Sequence, residues 1–286
     1  GVGVDPVAVC AGAADEAACR ATAQDVAPYC NTLDPFRILG AAAITHARIG
    51  DADYLLAANF WDGTSRAVDS VLFDFNASTE APAFRQVFPT VGAKRLVHLH
   101  MGAFDFVAAV SLLGETRIYR WDSDMRVLDL DASVALPVPG AVDLVHWEVG
   151  GHDYVLIAAD SDPSGPAGTS VYRLTYNPVS GAPTGAVFVQ KLEVWRARAA
   201  LHFEQNTTHF LAVAVNDSAP SLLFSASLPD SDGALALSLE QELDTQHVVG
   251  LDLFDSVALH LLVTQRDAAT LLLRWDGARF RGRPTI

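Results

Sequence analysis

One short spacing recurs along this chain of 286 residues. An alanine is followed five residues later by a histidine at four places, and a fifth copy, from His247 to Asp252, keeps the spacing with both residues changed. The four alanine–histidine pairs are Ala41 and His46, Ala93 and His98, Ala141 and His146, and Ala197 and His202. Successive copies begin 52, 48, 56 and 50 residues apart. Self-similarity at such a period indicates one supersecondary unit repeated along the chain.

Each copy contains four segments with the pattern of short β-strands. The apolar second segment, such as Phe210 to Val215, has no glycine or proline and suits a strand buried on both faces. The third segment alternates apolar and polar residues, and the fourth is less regular. Four strands per repeat predict an all-β fold, a β-propeller of four-stranded antiparallel blades. The expected innermost strands are Thr45–Arg48, Val97–His100, Val145–Glu148, Leu201–Glu204 and Gly250–Leu253.

The repeat resembles a known family. After the histidine come Tyr/Phe-Leu-x-Val/Ala-Ala-Asn and then Ile/Val-Tyr-Arg-Trp-Asp, as in residues 118–122. These segments resemble the epilepsy-associated repeat (EAR, also called EPTP), which is known from secreted and cell-surface proteins. The resemblance covers roughly residues 36–286. It implies a seven-bladed propeller, an extracellular or cell-surface location reached through the secretory pathway, and protein partners.

The chain divides into a cysteine-containing segment, residues 1–33, and an EAR-like propeller, residues 34–286. The repeats lie near residues 41–92, 93–140, 141–196, 197–246 and 247–286. Phe36–Leu39 has the pattern of a last strand from a further blade. Because each blade must bury both faces, we expect residues outside this sequence, or another chain, to complete the ring.

All three cysteines, Cys10, Cys19 and Cys30, lie in the first segment. In a secreted protein three cysteines allow one internal bridge and leave one sulfur over. The predicted bridge joins Cys19 and Cys30, since a short loop closes at small entropic cost. The odd sulfur pairs with another chain in one interpretation and is a buried free thiol in the other.

Charge and hydropathy exclude two classes of partner. Lys plus Arg number 19 and Asp plus Glu 34, a net charge of −15, so the chain lacks the basic surface that nucleic acid requires. No apolar run approaches the length of a membrane span, so we expect no membrane insertion. Three glycosylation sequons begin at Asn76, Asn206 and Asn216, the last at a strand end where a glycan is least expected.

One loop has half the pattern of a calcium site. Asp160, Asp162 and Ser164 place oxygen atoms at alternate positions before a glycine, but the bidentate glutamate of an EF-hand is absent. Tight turns use the same residue types. A solvated turn is therefore the preferred interpretation and calcium is the alternative; no other cofactor is expected.

The repeated histidines have two interpretations. His46, His98, His146 and His202, with Asp252 in the fifth copy, are expected at one equivalent place near the propeller axis. Four imidazoles there could bind a transition metal or act as a pH switch. The favoured alternative is structural, with each ring hydrogen-bonded to backbone or to a neighbouring blade.

The chain contains no contiguous hydrolase, metalloprotease, phosphate-loop or dinucleotide motif, which predicts that it is not an enzyme. The expected function is a non-catalytic extracellular protein-interaction or adhesion module, as part of a larger surface or filament glycoprotein, with other proteins or further copies as partners. The alternative is a propeller that recognises or hydrolyses carbohydrate at its axial mouth.

Overall fold

The computed structural model describes residues 38, 40–79, 81–160, 168–230 and 232–283. These residues form five sheets of four strands each and no helix. The first sheet contains β1 (Ala41–Ile49), β2 (Ala52–Asn59), β3 (Ser70–Asn76) and β4 (Ala81–Phe88). The second contains β5 (Ala93–Met101), β6 (Phe104–Ser111), β7 (Thr116–Asp122) and β8 (Val127–Leu136).

The remaining sheets repeat this arrangement. The third contains β9 (Ala141–Val149), β10 (His152–Ala159), β11 (Ser170–Tyr176) and β12 (Pro183–Lys191). The fourth contains β13 (Ala197–Gln205), β14 (Thr208–Val215), β15 (Ser221–Ala226) and β16 (Leu237–Leu243). The fifth contains β17 (Val248–Asp255), β18 (Leu259–Gln265), β19 (Leu271–Trp275) and β20 (Phe280–Arg283).

Within each sheet, consecutive strands pair antiparallel in chain order, so the first strand of each repeat lies at one edge. These first strands contact one another in sequence: β1 beside β5, β5 beside β9, β9 beside β13, and β13 beside β17. They are the innermost strands of a β-propeller, and they contain all five segments predicted to be innermost. The prediction of four-stranded antiparallel blades is confirmed.

The hydrophobic core consists of layers between neighbouring sheets. Leu56 and Leu72 of the first sheet pack with Val107 and Tyr119 of the second, and the same arrangement joins the second to the third, the third to the fourth and the fourth to the fifth. The second strands contribute to the layers on both sides, which explains their apolar sequences. Each sheet is therefore stabilised mainly by its neighbours.

Between the fifth sheet and the first, the described residues show no comparable packing. The outer face of each end sheet carries exposed apolar side chains, among them Ile44 on β1 and Val249 and Phe254 on β17. The described part of the chain is thus an arc of five blades whose end sheets do not pack on each other. The cysteines and Phe36 lie outside the described residues.

Glutamine side chains join the outermost strands of neighbouring sheets. Gln190 on β12 donates from Nε2 to the carbonyl oxygen of Leu237 on β16 at 3.3 Å, and its Oε1 accepts from the Leu237 amide at 2.9 Å. Gln86 bonds Leu128 in the same way, and Gln241 bonds Phe280. One side-chain amide satisfies two backbone groups at an otherwise open sheet edge.

Candidate functional site

Every innermost strand begins with the same irregularity, a β-bulge at its second residue. The extra residues that have no partner in the register are Ala42, Lys94, Val142, Arg198 and Val249. A bulge re-aims the side chains around it, and bulges are common beside functional sites. We call the end of the propeller that carries these five bulges the mouth.

A residue with positive φ precedes each bulge. These residues are Gly40, Gly92, Gly140, Arg196 and His247. The carbonyl oxygen of each accepts a hydrogen bond from the amide that follows the second strand of the same sheet, as when Asp160 donates to Gly140 at 2.8 Å. The loop after each second strand is thereby held beside the start of the innermost strand. The mouth collects side chains from both places.

A buried carboxylate connects three blades at the mouth. Asp143 on β9 is 2% exposed, and its Oδ1 accepts from Arg95 on β5 at 2.6 Å and from the Leu144 amide at 2.8 Å. Its Oδ2 accepts from the Ala200 amide on β13 at 3.0 Å. Burial raises the pKa of the Asp143 carboxyl above its ordinary value, although Arg95 and the two amides oppose that shift.

A second ion pair lies across the same mouth. Asp160, which follows β10, is 3.4 Å from the guanidinium of Arg198, the bulge residue of β13. Asp160 therefore pairs with an arginine in this structure. Asp162 and Ser164, the other residues of the candidate calcium loop, lie outside the described residues, and the residues that are described contain no metal-binding group of three or more His, Cys, Asp or Glu side chains.

Two cations share one aromatic ring at the first and second blades. The Lys94 Nζ lies 3.7 Å from the centroid of the Phe60 ring, and the Arg66 Cζ lies 3.9 Å from the same centroid. The Gly92 amide donates to the Arg66 carbonyl oxygen at 2.6 Å, which holds the loop that follows β2 against the start of β5. Among the described residues, no carboxylate forms an ion pair with either Lys94 or Arg66.

The indole of Trp61 adds an apolar surface beside these cations. Trp61 is 47% exposed, and its ring lies 5.5 Å from the Arg66 guanidinium. Partial burial, together with the charges of Arg198 and Arg66, lowers the pKa of the Lys94 ammonium from its ordinary value. The mouth therefore combines an exposed aromatic face with a local excess of positive charge, in a chain whose net charge is −15.

The repeated histidines lie at the opposite end of the blades, beside the hairpins that join first and second strands. His46, His98 and His146 each hydrogen-bond through Nε2 to the aspartate seven residues later, all at 2.8 Å. These partners are Asp53, Asp105 and Asp153. In the fourth sheet His209 replaces the aspartate and lies 3.0 Å from the Nε2 of His202. The structural interpretation expected bonds to backbone or to a neighbouring blade, whereas these bonds go to side chains of the same blade.

The fifth copy of the marker is shifted by one residue from its predicted position. His202 pairs with Leu211 in the β13–β14 register, and the equivalent pair in the fifth sheet is Leu253 with Leu261. Asp252 faces the other side of the sheet, opposite Leu262. The correct equivalent of the alanine is Val248, because the positive-φ residue before it is His247. The spacing in the sequence matches His202 with Asp252, whereas the strand register matches His202 with Leu253.

The three sequons differ in exposure. Asn76 and Asn206 are exposed at turns, and Asn206 adopts a positive φ in the β13–β14 hairpin. Asn216 is partly buried, and its side-chain oxygen is enclosed without a hydrogen-bond partner. Attachment of a glycan is therefore sterically easier at the first two positions.

Sequence reasoning identified neither the charged side chains of the mouth nor the histidine–aspartate pairs at the opposite end of the blades, although a signal for each was readable. The residues that follow each repeat alanine are charged only in the middle blades: Lys94 and Arg95, then Asp143, then Arg198. The histidine–aspartate spacing of seven also recurs three times. A comparison of repeats position by position would have shown both.

The sequence matches no protein-family model and no curated protein. Solved structures do match. The Dos1 propeller is 13% identical over 86% of this chain with a TM-score of 0.49, and this chain spans 57% of its length. The SapL1 lectin, solved with α-methyl fucoside, is 11% identical over 87% of this chain and 81% of its own, with a TM-score of 0.50. The five four-stranded sheets, with their first strands side by side, define the class of protein, a β-propeller.

The GH43_1 enzyme from Xanthomonas citri, solved with xylose, also matches, at 11% identity over 93% of this chain and 96% of its own, with a TM-score of 0.45. The prediction that this chain is not an enzyme is contradicted, because solved structures that match it include this glycoside hydrolase. The motif search was uninformative for a physical reason. A propeller brings single residues from separate blades to one mouth, so its functional groups need no contiguous motif. None of the described residues forms a helix that could cross a bilayer.

Proposed function

We propose that this protein is a carbohydrate-binding propeller that holds its ligand at the mouth. The observation that carries the proposal is the exposed indole of Trp61, which follows Phe60 in the chain and lies 5.5 Å from the Arg66 guanidinium. Ligand sites combine apolar and aromatic surface with a few well-placed polar groups. The apolar face of a sugar ring suits an exposed indole, and its hydroxyl groups suit paired ionic side chains such as Asp160 and Arg198.

The rigidity of the mouth supports this proposal. Arg95 and Arg198 are each fixed by a carboxylate, and Asp143 is fixed by three donors from three blades. Side chains held in this way lose little conformational entropy when a ligand binds. The adhesion role expected from the resemblance remains a proposal for the exposed outer faces of the end sheets, which carry Ile44 and Phe254.

The test is a calorimetric titration of the full chain with a panel of neutral and acidic oligosaccharides. We expect at least one to bind, and we expect Trp61→Ala to weaken its binding by about tenfold or more. The matched control is Trp195→Ala, because Trp195 also lies near a cation, Lys191 at 5.0 Å, but lines a different cavity with Pro220. Absence of binding across the panel, or equal effects of the two substitutions, would overturn the proposal.

Hydrolysis of the bound saccharide is a second candidate function, and Asp143 is the observation that favours it. A buried carboxyl with a raised pKa is the kind of group that acts as a general acid. Release of reducing ends is measured in the same samples. Loss of that release in Asp143→Asn, with binding retained, would assign the chemistry to this carboxyl.

A further inference from the structure

We propose that Arg66 and Lys94 form an anion subsite within the mouth, so that the saccharide it takes is acidic, bearing a carboxylate or another oxyanion. This inference rests on the proposed function and names its ligand class. It is carried by three features of the described residues: two cations that form no ion pair with a carboxylate, one buried donor without an acceptor, and an adjacent exposed indole.

The two cations are close and share no carboxylate. Because the Lys94 Nζ and the Arg66 Cζ both lie within 4 Å of one Phe60 centroid, their separation cannot exceed the sum of those two distances. The face of an aromatic ring attracts a cation but accepts no strong hydrogen bonds. Like charges at that separation repel. The pKa of Lys94 is lowered mainly by burial and then by Arg198 and Arg66, while Asp160 opposes the shift. An oxyanion bound close to both cations would relieve the repulsion.

Arg66 has a hydrogen-bonding capacity that the described residues leave unused. Its Nη1 is buried and has no hydrogen-bond partner. A guanidinium presents donors in a fixed fork that matches a carboxylate or phosphate with two bonds, and an ammonium adds a point charge. A buried donor without an acceptor is uncommon in folded proteins, and a missing ligand is one of its explanations. The other mouth cations differ, since Arg95 and Arg198 already have carboxylate partners.

The position of the pair indicates a ligand larger than a free ion. Trp61 continues the same loop as Phe60 and presents an exposed apolar surface 5.5 Å from the Arg66 guanidinium. A sugar ring on the indole would place a carboxylate substituent within reach of the fork. The backbone bond from Gly92 to Arg66 fixes the loop of the first blade to the strand of the second, so the backbone positions of both cations are set before the ligand arrives. The Arg66 side chain must turn for its enclosed Nη1 to reach the ligand.

The experiment compares tetragalacturonate with its fully methyl-esterified form, which has the same sugar rings without charge. We expect the acidic form to bind at least tenfold more tightly, and we expect that advantage to shrink when salt is raised from about 0.1 M to about 1 M. Arg66→Gln and Lys94→Gln should each weaken binding of the acidic form by a larger factor than binding of the methyl ester, so that the advantage of the acidic form is lost. Arg274→Gln on β19 is the matched control, since it removes one exposed arginine that pairs with His260 near the β17–β18 hairpin, at the other end of the fifth blade.

The outcomes separate the two proposals. Equal binding of both forms, with Trp61→Ala still weakening each, overturns the anion subsite and leaves carbohydrate binding intact. Failure of both forms to bind overturns the acidic-saccharide inference for this probe, and failure of the whole oligosaccharide panel overturns the proposed function. Inorganic phosphate is titrated alone: binding that needs Arg66 and Lys94, without binding of tetragalacturonate, overturns the saccharide assignment and leaves only a free-ion site.

Discussion

Arg95 and Asp143 lie 48 residues apart in the chain, yet the Arg95 guanidinium donates to the Asp143 Oδ1 at 2.6 Å. The two residues hold equivalent positions in neighbouring repeats, each directly after a bulge. Asp143 is 2% exposed in its side chain and Arg95 is 48% exposed, so the carboxylate is buried and the cation covers it. This bond joins the second and third blades at the mouth.

Replacement of Arg95 by leucine should destabilise the fold by about 2–3 kcal/mol at neutral pH. Removal of one partner leaves a buried charge uncompensated, and the figure is below the full range for buried pairs because Arg95 is half exposed. Urea denaturation measures the loss. The control, Arg274→Leu, removes an exposed arginine and should cost within about 0.5 kcal/mol.

The same variant should show a characteristic pH dependence. Without Arg95 the pKa of Asp143 in the folded state rises further, so the folded variant binds a proton that the unfolded chain releases. The stability that this proton supplies is lost as the pH rises through the folded-state pKa of Asp143. The difference in free energy of unfolding between Arg95→Leu and the native protein should therefore shrink as the pH is lowered. A difference that does not change with pH would contradict the assignment to Asp143.

The glutamine bridges should contribute to cohesion between blades. Gln190→Ala removes two hydrogen bonds to Leu237 and leaves two backbone groups without these partners, which should cost about 1–2 kcal/mol in the free energy of unfolding. Gln205→Ala, at the end of β13 beside the hairpin, is the matched control and should cost little. Similar losses in both variants would show that the bridge to Leu237 is not the cause.

The lowered pKa of His202 leads us to expect that the protein loses stability in mild acid. Burial, with His209 and His146 nearby, lowers the pKa of His202 to about 4. The unfolded chain, with an ordinary value near 6.5, takes up the proton first, so stability should fall as pH falls from about 6.5 towards about 4. The free energy of unfolding should change by at most about 1.4 kcal/mol per pH unit, and by less than this because His202 is partly exposed. His202→Leu, which copies Leu253 of the fifth blade, should remove it; His46→Leu, at an exposed ring, should not.

The sequons give a prediction about modification. If the protein is made in a secretory pathway, Asn76 and Asn206 should carry glycans and Asn216 should not, because the Asn216 amide oxygen is enclosed. Peptide mass analysis with and without removal of N-glycans measures occupancy at each site. A glycan at Asn216 alone would contradict the expectation that exposure of the asparagine side chain decides which sequon is glycosylated.

The cysteine prediction needs only a mass measurement. One bridge, between Cys19 and Cys30, is expected, with Cys10 left over. Peptide mapping before and after reduction identifies the pair. Three free thiols would count against an oxidising compartment.

Much of the fold was readable from the sequence because each repeat must solve the same burial problem. The run Phe210–Val215 is apolar at every position, and β14 is buried on both faces between two neighbouring sheets. The polar markers were less reliable. The fifth repeat has the same spacing from His247 to Asp252, but neither residue holds the equivalent position in the sheet. Leu253 occupies the position that the histidine has in the other repeats.

The sequence by itself determined the strands, their order within each sheet and the number of repeats, because alternation and burial are local properties written into every copy. Only the tertiary structure decided the mouth. The sequence shows Lys94, Arg66 and Phe60 as three unrelated residues in two repeats. Their meeting depends on a bulge that re-aims one side chain and on a backbone bond that fixes a loop of the first blade against the second. Contacts between blades arise from the packing of whole sheets, which no single repeat specifies.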